Sequence, residues 1–313
     1  MPVSPANQAS LAASALGWNA LPESYRIPEA APSLAEARAY CERLAKSHYE
    51  NFSVASWFLP GKLRQHFYNV YAYCRISDDL GDEVGNAEQS LELLDLWEAE
   101  LNACYAGAPR HPVFVALAET VKQCGIPKHE FSDLLIAFRQ DQSITRFPTF
   151  DDVLAYCKYS ANPVGHLVLY LCGYSDAERQ QLSDYTCTAL QLANFWQDVA
   201  VDYEKGRIYL PLDSLKRFSG SEDDIAQRRA TPQFIELMKF EVQRAREWFV
   251  RGLPLIKMVN KELAVDLDLF SLGGQEILNA IEKQGYNVLR QRPVISKSRK
   301  LLLVARAAAG KLL

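Results

Sequence analysis

The chain has 313 residues, of which 49% are hydrophobic, so it is long enough for one large or two modest domains with a buried core. Its formal net charge of −4 argues against nucleic acid as the main partner. The seven cysteines are scattered singly without paired spacing, which is typical of reduced core residues in a reducing compartment such as the cytoplasm.

The predicted elements begin after residues 1–32, which contain no basic stretch followed by a long apolar one and are predicted to be a mobile leader rather than a signal peptide. Helical periodicity dominates the rest of the chain, and strand alternation is nearly absent. Turns with Gly and Pro separate ten predicted helices, at 33–49, 61–83, 88–105, 112–124, 128–140, 150–160, 163–172, 176–204, 231–254 and 258–286. No repeat or linker interrupts this pattern, so one all-α domain over 33–313 is the simplest prediction.

The end of the chain is basic, because residues 283–313 contain eight Lys and Arg and no Asp or Glu. The longest strongly apolar run, at 164–174, is too short to span a bilayer, which needs about 20 residues. The predicted tail helix has two interpretations: a basic amphipathic helix on an anionic membrane surface, or a solvated terminal helix packed on the bundle. The protein is therefore predicted to be cytoplasmic, with peripheral contact to the inner membrane face as an open alternative.

An acidic cluster lies at the end of the second predicted helix, in YAYCRISDDLGDE at 71–83. Asp78 and Asp82 are four residues apart, and Asp79 and Glu83 repeat that spacing, so each pair shares a helix face. Carboxylates at a helix C-terminus repel one another and oppose the helix dipole. On its own, such a cluster is most often a solvated helix end.

A second polar series changes that interpretation. In LQLANFWQDVAVDYEKGRIYLP (190–211), Asn194, Asp198 and Asp202 lie four residues apart, and Gln191 extends the series. The helix is otherwise apolar over much of its circumference, which predicts a central position. Buried carboxylates need compensation, and oxygen ligands alone favour a hard cation such as Mg²⁺. Because Mg²⁺ keeps several waters and prefers a bridging phosphate, the two series together predict a diphosphate clamp.

Other metal and nucleotide chemistries lack their motifs. None of the five histidines has a Glu three residues before it, as a di-iron bundle requires. The chain also has no zinc spacing, no P-loop, no G-x-S-x-G and no G-x-G-x-x-G. The predicted chemistry therefore begins with the loss of a leaving group.

Three blocks of the sequence are similar to the squalene/phytoene synthases, which couple prenyl diphosphates head to head and have the all-α isoprenoid synthase fold with a central cavity. The blocks are FLPGKLRQHFYNVYAYCRISDDLGDE (58–83), YCKYSANPVG (156–165) and residues 190–211. The resemblance implies that Mg²⁺ and diphosphate bind at Asp78, Asp82, Asn194, Asp198 and Asp202.

The same resemblance implies roles for further residues. Arg75 is expected to contact the diphosphate, and Tyr71, one turn away, to face the reacting carbons. The remaining implied substrate-binding positions are His48, Phe52, Tyr156, Asn162, Gln191, Arg207 and Tyr286. Phe52, Tyr71, Tyr156 and Phe195 are candidate rings for stabilising a carbocation, although aromatics at helical spacing are more often plain core. His48 has a structural alternative, a cap near the helix start.

Two departures from the coupling enzymes favour a substrate with one diphosphate. Where the resemblance leads us to expect basic side chains for a second diphosphate, the chain has Glu50, Asn51 and Gln197. HYENF, SANPVG and NFWQDV are instead similar to the bacterial hydroxysqualene synthase branch. That branch converts presqualene diphosphate to hydroxysqualene by ionisation, rearrangement and water capture, which implies Mg²⁺ as cofactor and no NADPH. Asn162, Tyr159 and Ser160 are candidates for orienting the water.

Two alternatives stay open. One is head-to-head condensation of two prenyl diphosphates to presqualene diphosphate or phytoene. The other is a non-catalytic helical assembly or binding protein, although such relatives tend to lose the acids that are intact here. The expected partner is a small isoprenoid diphosphate, and the residues do not indicate an oligomeric state.

Overall fold

Twelve α-helices lie in the part of the chain that the structure, a computed structural model, describes: residues 19–47 and 61–296, and in the tail 298–299, 302–303 and 305. They are α1 Leu34–Ser47, α2 Arg64–Asp82, α3 Ala87–Ala106, α4 Pro112–Cys124, α5 His129–Gln140, α6 Phe150–Ser160, α7 Asn162–Leu171, α8 Ala177–Glu204, α9 Leu212–Arg217, α10 Glu222–Ala226, α11 Pro232–Gly252 and α12 Lys261–Lys283. Short 3₁₀ turns cover Glu23–Tyr25 and Leu253–Lys257.

The all-α prediction is confirmed. Each of the ten predicted helices is present, with its described ends within three residues of the predicted ones. Within the described ranges, β pairing amounts to one isolated bridge between Arg146 and Ile208. Periodicity did not reveal α9 and α10, because one or two helical turns are too short to show an amphipathic pattern.

The chain packs as two compact units. The first unit comprises the described residues up to Ser143 together with Tyr170–Gly173, and the second unit comprises Ile144–Leu169 and the described residues from Tyr174 onward. One domain over 33–313 with a central cavity, preceded by a leader at 1–32, stays a prediction. Part of that leader packs in the first unit, since Tyr25 is buried and its hydroxyl donates to Asp79 Oδ2 at 2.8 Å.

In the first unit, α2 packs against α1, α3, α4 and α5. Its inner face is fixed by polar contacts within an aromatic core: the Tyr73 hydroxyl donates to the Phe131 carbonyl at 2.8 Å, and Trp97 Nε1 donates to Ser77 Oγ at 2.9 Å. Tyr73 and Trp97 are completely buried. These contacts set the rotation of α2 about its axis, and therefore determine which residues occupy its other face.

His111 caps α4 inside this core and gives the first unit a pH-dependent stability. The residue is fully buried, its Nδ1 accepts from the Val113 amide at 3.2 Å, and its ring lies 4.8 Å from the Trp97 ring. Burial lowers the pKa of His111 to about 4 from 6.5, so the folded state resists protonation of a group that the unfolded chain protonates readily.

Stability should therefore be complete above about pH 6.5 and decline as the pH falls toward 4. We expect His111 to account for about 2 kcal/mol of unfolding free energy lost between about pH 7 and pH 5. Urea unfolding at the two pH values measures the loss. His111→Asn keeps a capping acceptor but cannot titrate, so its pH slope should be flatter by that amount. Equal slopes in the two proteins would contradict the prediction.

In the second unit, α8 packs against α6, α10, α11 and α12. Leu192 and Trp196 are fully buried, and Phe195 and Val199 are nearly so. The Trp196 indole donates to the Glu241 carbonyl at 3.1 Å and so joins α8 to α11. The apolar circumference predicted for this helix is thus used for packing, which leaves its remaining edge for polar residues.

Two glycines of the second unit provide a matched test of this packing. A Cβ at Gly252, the last residue of α11, would lie 2.2 Å from Thr186 Oγ1 and 3.0 Å from the Thr186 amide nitrogen on α8, whereas a Cβ at Gly273 of α12 would meet nothing within 4 Å. We expect Gly252→Ala to lower the free energy of unfolding by about 1–3 kcal/mol, and Gly273→Ala to raise it by about 0.5–1 kcal/mol. Urea denaturation measures both, and a neutral Gly252→Ala would disprove the close approach.

Candidate active site

The predicted site residues of the first unit form one stripe on α2. Tyr71, Arg75, Asp78 and Asp82 follow one another at intervals of four, three and four residues, which places them along a single face. The Asp78 side chain is 51% exposed and Asp82 is exposed at the helix end. Partial burial and the Asp82 carboxylate raise the pKa of Asp78 to about 6. This first ladder, Asp78 and Asp82, therefore concentrates negative charge at one helix end.

Arg75 is held by a carboxylate beside the ladder. Its guanidinium bonds both oxygens of Asp79, with Nε 3.1 Å from Oδ2, while Nη1 is 3.8 Å from Asp78 Oδ2. Asp79 is buried and also accepts from the Tyr25 hydroxyl. Asp79 therefore holds the Arg75 guanidinium in place. Tyr71 lies one turn before Arg75, and burial raises the pKa of its phenol, which therefore stays neutral.

The second ladder, Asn194, Asp198 and Asp202, runs along one edge of α8 in the second unit. Asn194 is exposed, and Asp198 and Asp202 are partly buried, so the ladder lies at the border of the helix's packed surface. Burial and the Asp198 carboxylate raise the pKa of Asp202 to about 7. The positive charges of Lys205, Arg207 and Arg292 offset part of this rise. Two acids crowded together in this way favour a cation beside them.

A guanidinium from the segment after α12 occupies part of this ladder. Arg292 bonds both carboxylate oxygens of Asp198, with one Nη 2.9 Å from Oδ2, and the same Nη donates to Gln197 Oε1 at 3.2 Å. Gln197 is buried, and its Nε2 donates to the Pro293 carbonyl at 2.5 Å. Sequence patterns did not indicate a role for Arg292, because a single Arg far along the chain has no informative spacing.

The end of α8 positions Arg207. The Gly206 backbone has a φ of +81°, a left-handed conformation that ends the helix, and the Arg207 amide then donates to the Asp202 carbonyl at 2.8 Å. Arg146 Nη1 donates to the Gly206 carbonyl at 2.7 Å and secures this turn. Arg207 is thereby fixed directly after the second ladder, where its charge offsets part of the rise that burial and Asp198 cause in the pKa of Asp202.

The donors of both ladders fit Mg²⁺. They are carboxylate and amide oxygens, the ligands of a hard dication, and they carry crowded negative charge. Within residues 19–47, 61–296 and the described tail positions, no three His, Cys, Asp or Glu side chains form a ready-made metal cage. Mg²⁺ does not require one, since it keeps several waters and uses one or two carboxylates with substrate phosphates.

Both ladders lie within the part of the chain that a family model matches. The model described as "Squalene/phytoene synthase" matches residues 45–299. The chain belongs to the squalene/phytoene synthase family. This family consists of enzymes of isoprenoid biosynthesis, and its members are generally Mg²⁺-dependent.

Named relatives and solved structures of the family cover most of the chain. Phytoene synthase from Arthrospira platensis is 30% identical over 275 residues, which are 84% of this chain and 89% of that relative. The squalene synthase HpnC structure from Alicyclobacillus acidocaldarius is 44% identical with a TM-score of 0.79, over 87% of this chain and 99% of that one. A ligand-bound dehydrosqualene synthase structure is 27% identical with the same TM-score, over 88% and 96% of the two chains.

An aromatic cluster adjoins the second ladder in this family member. Phe195 stacks on Tyr209 with ring centroids 3.8 Å apart, and Tyr156 lies 6.1 Å from Phe195 and 5.7 Å from Tyr209. Phe147 stacks on the other side of the cluster, 5.4 Å from Tyr209. All four are buried, so much of their ring surface is used for packing, and Tyr209 is a member that the sequence did not single out.

Two more of the predicted substrate-binding residues, Asn162 and Tyr286, lie within the described part of the chain and have identifiable contacts. Asn162 Oδ1 accepts from Thr188 Oγ1 at 3.1 Å, which holds α7 against α8 one turn before Gln191. Tyr286 lies in a left-handed conformation with the Lys239 ammonium 5.9 Å from its ring centroid. His48 and Phe52, like Glu50 and Asn51, lie outside the described residues.

Membrane contact by the basic tail stays a prediction. No helix in the described part of the chain combines the length and apolar character that crossing a bilayer requires. The described tail residues 298–299, 302–303 and 305 are helical. Val294 and Leu302 are exposed apolar residues in and beside this segment.

Proposed function

We propose that this family member ionises presqualene diphosphate and captures the rearranged cation with water, giving hydroxysqualene and diphosphate. The 44% identity to a squalene synthase HpnC structure supports this branch. The proposal assigns Mg²⁺ as the cofactor, no NADPH, no nucleic-acid partner and a cytoplasmic location with peripheral membrane contact through the basic tail.

The observation that carries the proposal is the environment of Gln197. Coupling enzymes of the family are expected to have a cationic donor here for a second diphosphate. In this chain the position holds a neutral amide that is buried, and both ends of that amide are engaged by the segment Arg292–Pro293. An amide committed in this way offers no positive charge to a second leaving group, which favours a substrate with one diphosphate.

The proposed roles follow from the chemistry of each group. Asp78, Asp82, Asn194, Asp198 and Asp202 would hold Mg²⁺, which, when bound, supplies positive charge to the departing diphosphate. Arg75 and Arg207 donate hydrogen bonds to the diphosphate oxygens and neutralise their charge. Tyr71, whose pKa is raised by burial, presents a neutral ring toward the carbocation.

The remaining residues control solvent. The packed rings of Tyr156, Phe195 and Tyr209 exclude bulk water from the reacting carbons. Asn162, held by the Thr188 hydroxyl, orients one water for attack on the allylic cation. The remaining proposed substrate-binding residues are His48, Phe52, Gln191 and Tyr286. The oxygen of that water forms the new carbon–oxygen bond, and its proton leaves with the released diphosphate.

The second candidate is condensation of two prenyl diphosphates. It is favoured by the curated relatives, among which a phytoene synthase is 30% identical over 84% of this chain. The two functions differ in substrate: one consumes presqualene diphosphate, the other a smaller prenyl diphosphate such as farnesyl diphosphate.

A product assay separates them. Purified protein is supplied with Mg²⁺ and either presqualene diphosphate or farnesyl diphosphate, with and without NADPH, in isotopically labelled water. We expect presqualene diphosphate alone to give hydroxysqualene that carries the label, at a rate indifferent to NADPH. Consumption of farnesyl diphosphate with accumulation of a coupled diphosphate or phytoene would replace the proposal with the second candidate.

A further inference from the structure

The segment that follows α12 is joined to the helices of the second unit by two arginine–carboxylate forks. Arg292 bonds both oxygens of Asp198 on α8, and Arg299 bonds both oxygens of Glu276 on α12 at 2.7 and 2.8 Å. In both forks the donors are the Nε and one Nη of the guanidinium. They differ in the acid they use, because Glu276 belongs to neither ladder while Asp198 is the middle residue of the second one.

We propose that Arg292 is a latch: in the ligand-free protein its guanidinium occupies Asp198, and it must release that carboxylate before a divalent cation binds there. The inference rests on the proposed function only in that Asp198 is taken as a metal ligand. It is independent of which prenyl diphosphate the protein consumes.

The contacts explain why the guanidinium and a dication exclude each other. Both Asp198 oxygens accept from Arg292, and the carboxylate is only 13% exposed, so a cation has to compete with the guanidinium for this carboxylate. A guanidinium left beside a bound dication would also repel it at short range. Loading of the ladder therefore requires movement of the Arg292 side chain.

Gln197 makes the latch specific to this position of the segment. Its amide oxygen accepts from the same Arg292 nitrogen that bonds Asp198, and its amide nitrogen bonds the carbonyl of the next residue, Pro293. The buried amide thus sets the register in which the segment crosses α8. A basic residue at 197 would repel Arg292, so the neutral amide at this position is compatible with the guanidinium beside it.

The Arg292 side chain has room to move while the backbone beside it stays attached, because the Gln291 carbonyl accepts from Gln284 Nε2 and the Pro293 carbonyl accepts from Gln197 Nε2. A cleft of about 570 Å³ lies between α12 and the segment, lined among others by Lys283, Gln284, Gln291, Arg292 and Val294. Arg292 is 47% exposed, so its side chain can rotate into solvent or along the cleft. When Arg292 releases Asp198, the bonds from Arg299 to Glu276 still hold the far end of the segment on α12.

The test measures cation binding to the full-length protein in the absence of any prenyl diphosphate, with Mn²⁺ as the spectroscopic substitute for Mg²⁺ and electron paramagnetic resonance as the readout. We expect Arg292→Gln to bind Mn²⁺ about tenfold more tightly than the unmodified chain, because the competing cation is gone. Arg299→Gln removes the same charge from the neighbouring fork and should leave Mn²⁺ affinity within about twofold. The double variant Arg292→Gln with Asp198→Asn should lose the gain.

A second variant covers a failure of Arg292→Gln to fold, which circular dichroism would show. Gln197→Met keeps the guanidinium but removes its amide support, and we expect a smaller gain in Mn²⁺ affinity of about threefold. Equal or weaker Mn²⁺ binding by the folded Arg292 variant, or an equal gain in Arg299→Gln, overturns the latch. A negative product assay with presqualene diphosphate would sink the proposed function and leave these Mn²⁺ results unaffected, so the two failures are distinguishable.

Discussion

Replacing Asp82 by Asn is expected to lower kcat about 1,000-fold while leaving the protein at least as stable as the unmodified chain. Asp82 is the last residue of α2 and is exposed, and it lies one turn from Asp78, whose pKa it raises. A carboxylate at a helix C-terminus beside another carboxylate is unfavourable for folding. The amide relieves that repulsion but removes a charged oxygen ligand.

The same separation of activity from stability should hold on the second ladder. Asp202→Asn relieves its repulsion with Asp198 and is expected to cost a similar factor in kcat. Asp151→Asn, an identical change at an exposed position in the first turn of α6, provides the control and should leave kcat unchanged. Diphosphate release measures kcat, and urea denaturation measures stability. Retention of activity within about twofold by both ladder variants would contradict a metal-binding role for these acids.

Local patterns predicted the helices and both ladders because their information lies within a few turns of chain. The four-residue spacing of Asp198 and Asp202 predicted their shared face, since residues four apart lie on the same side of a helix. Burial was less predictable: the sequence predicted a central helix with a buried polar series, whereas Asn194 is exposed. Even a mostly apolar helix has residues at the boundary between its packed surface and solvent, and periodicity does not locate that boundary to within a residue.

Long-range partners could not be predicted. Arg292 reaches Asp198 across 94 residues of sequence, and Tyr25 reaches Asp79 across 54. A single Arg or Tyr in a polar segment has no spacing that marks its partner, and Tyr25 lies in a stretch that the sequence indicated as mobile. The contacts that regulate or support the candidate site therefore came from the structure alone, while its acids came from the sequence.

The support of Arg75 leads to the second large expected effect. Arg75→Gln should lower kcat about 100-fold, because a charge-assisted donor to the diphosphate is lost, and should also lower the free energy of unfolding by about 2 kcal/mol. The stability loss arises from Asp79, whose side chain is 7% exposed and would lose the guanidinium that bonds both of its oxygens, while the hydrogen bond from the Tyr25 hydroxyl remains. Activity and stability would then fall together, and a structural role for Arg75 would explain both.

A double variant separates the two roles. Arg75→Gln with Asp79→Asn removes both charges of the pair, and an amide at 79 can still accept from the Tyr25 hydroxyl, so the unfolding free energy should return to within about 1 kcal/mol of the unmodified chain. The catalytic loss should remain, because no positive charge has been restored. Urea denaturation and diphosphate release on the single and double variants provide the comparison. If activity recovers together with stability, Arg75 only holds α2 in place; if stability recovers alone, its charge acts on the substrate.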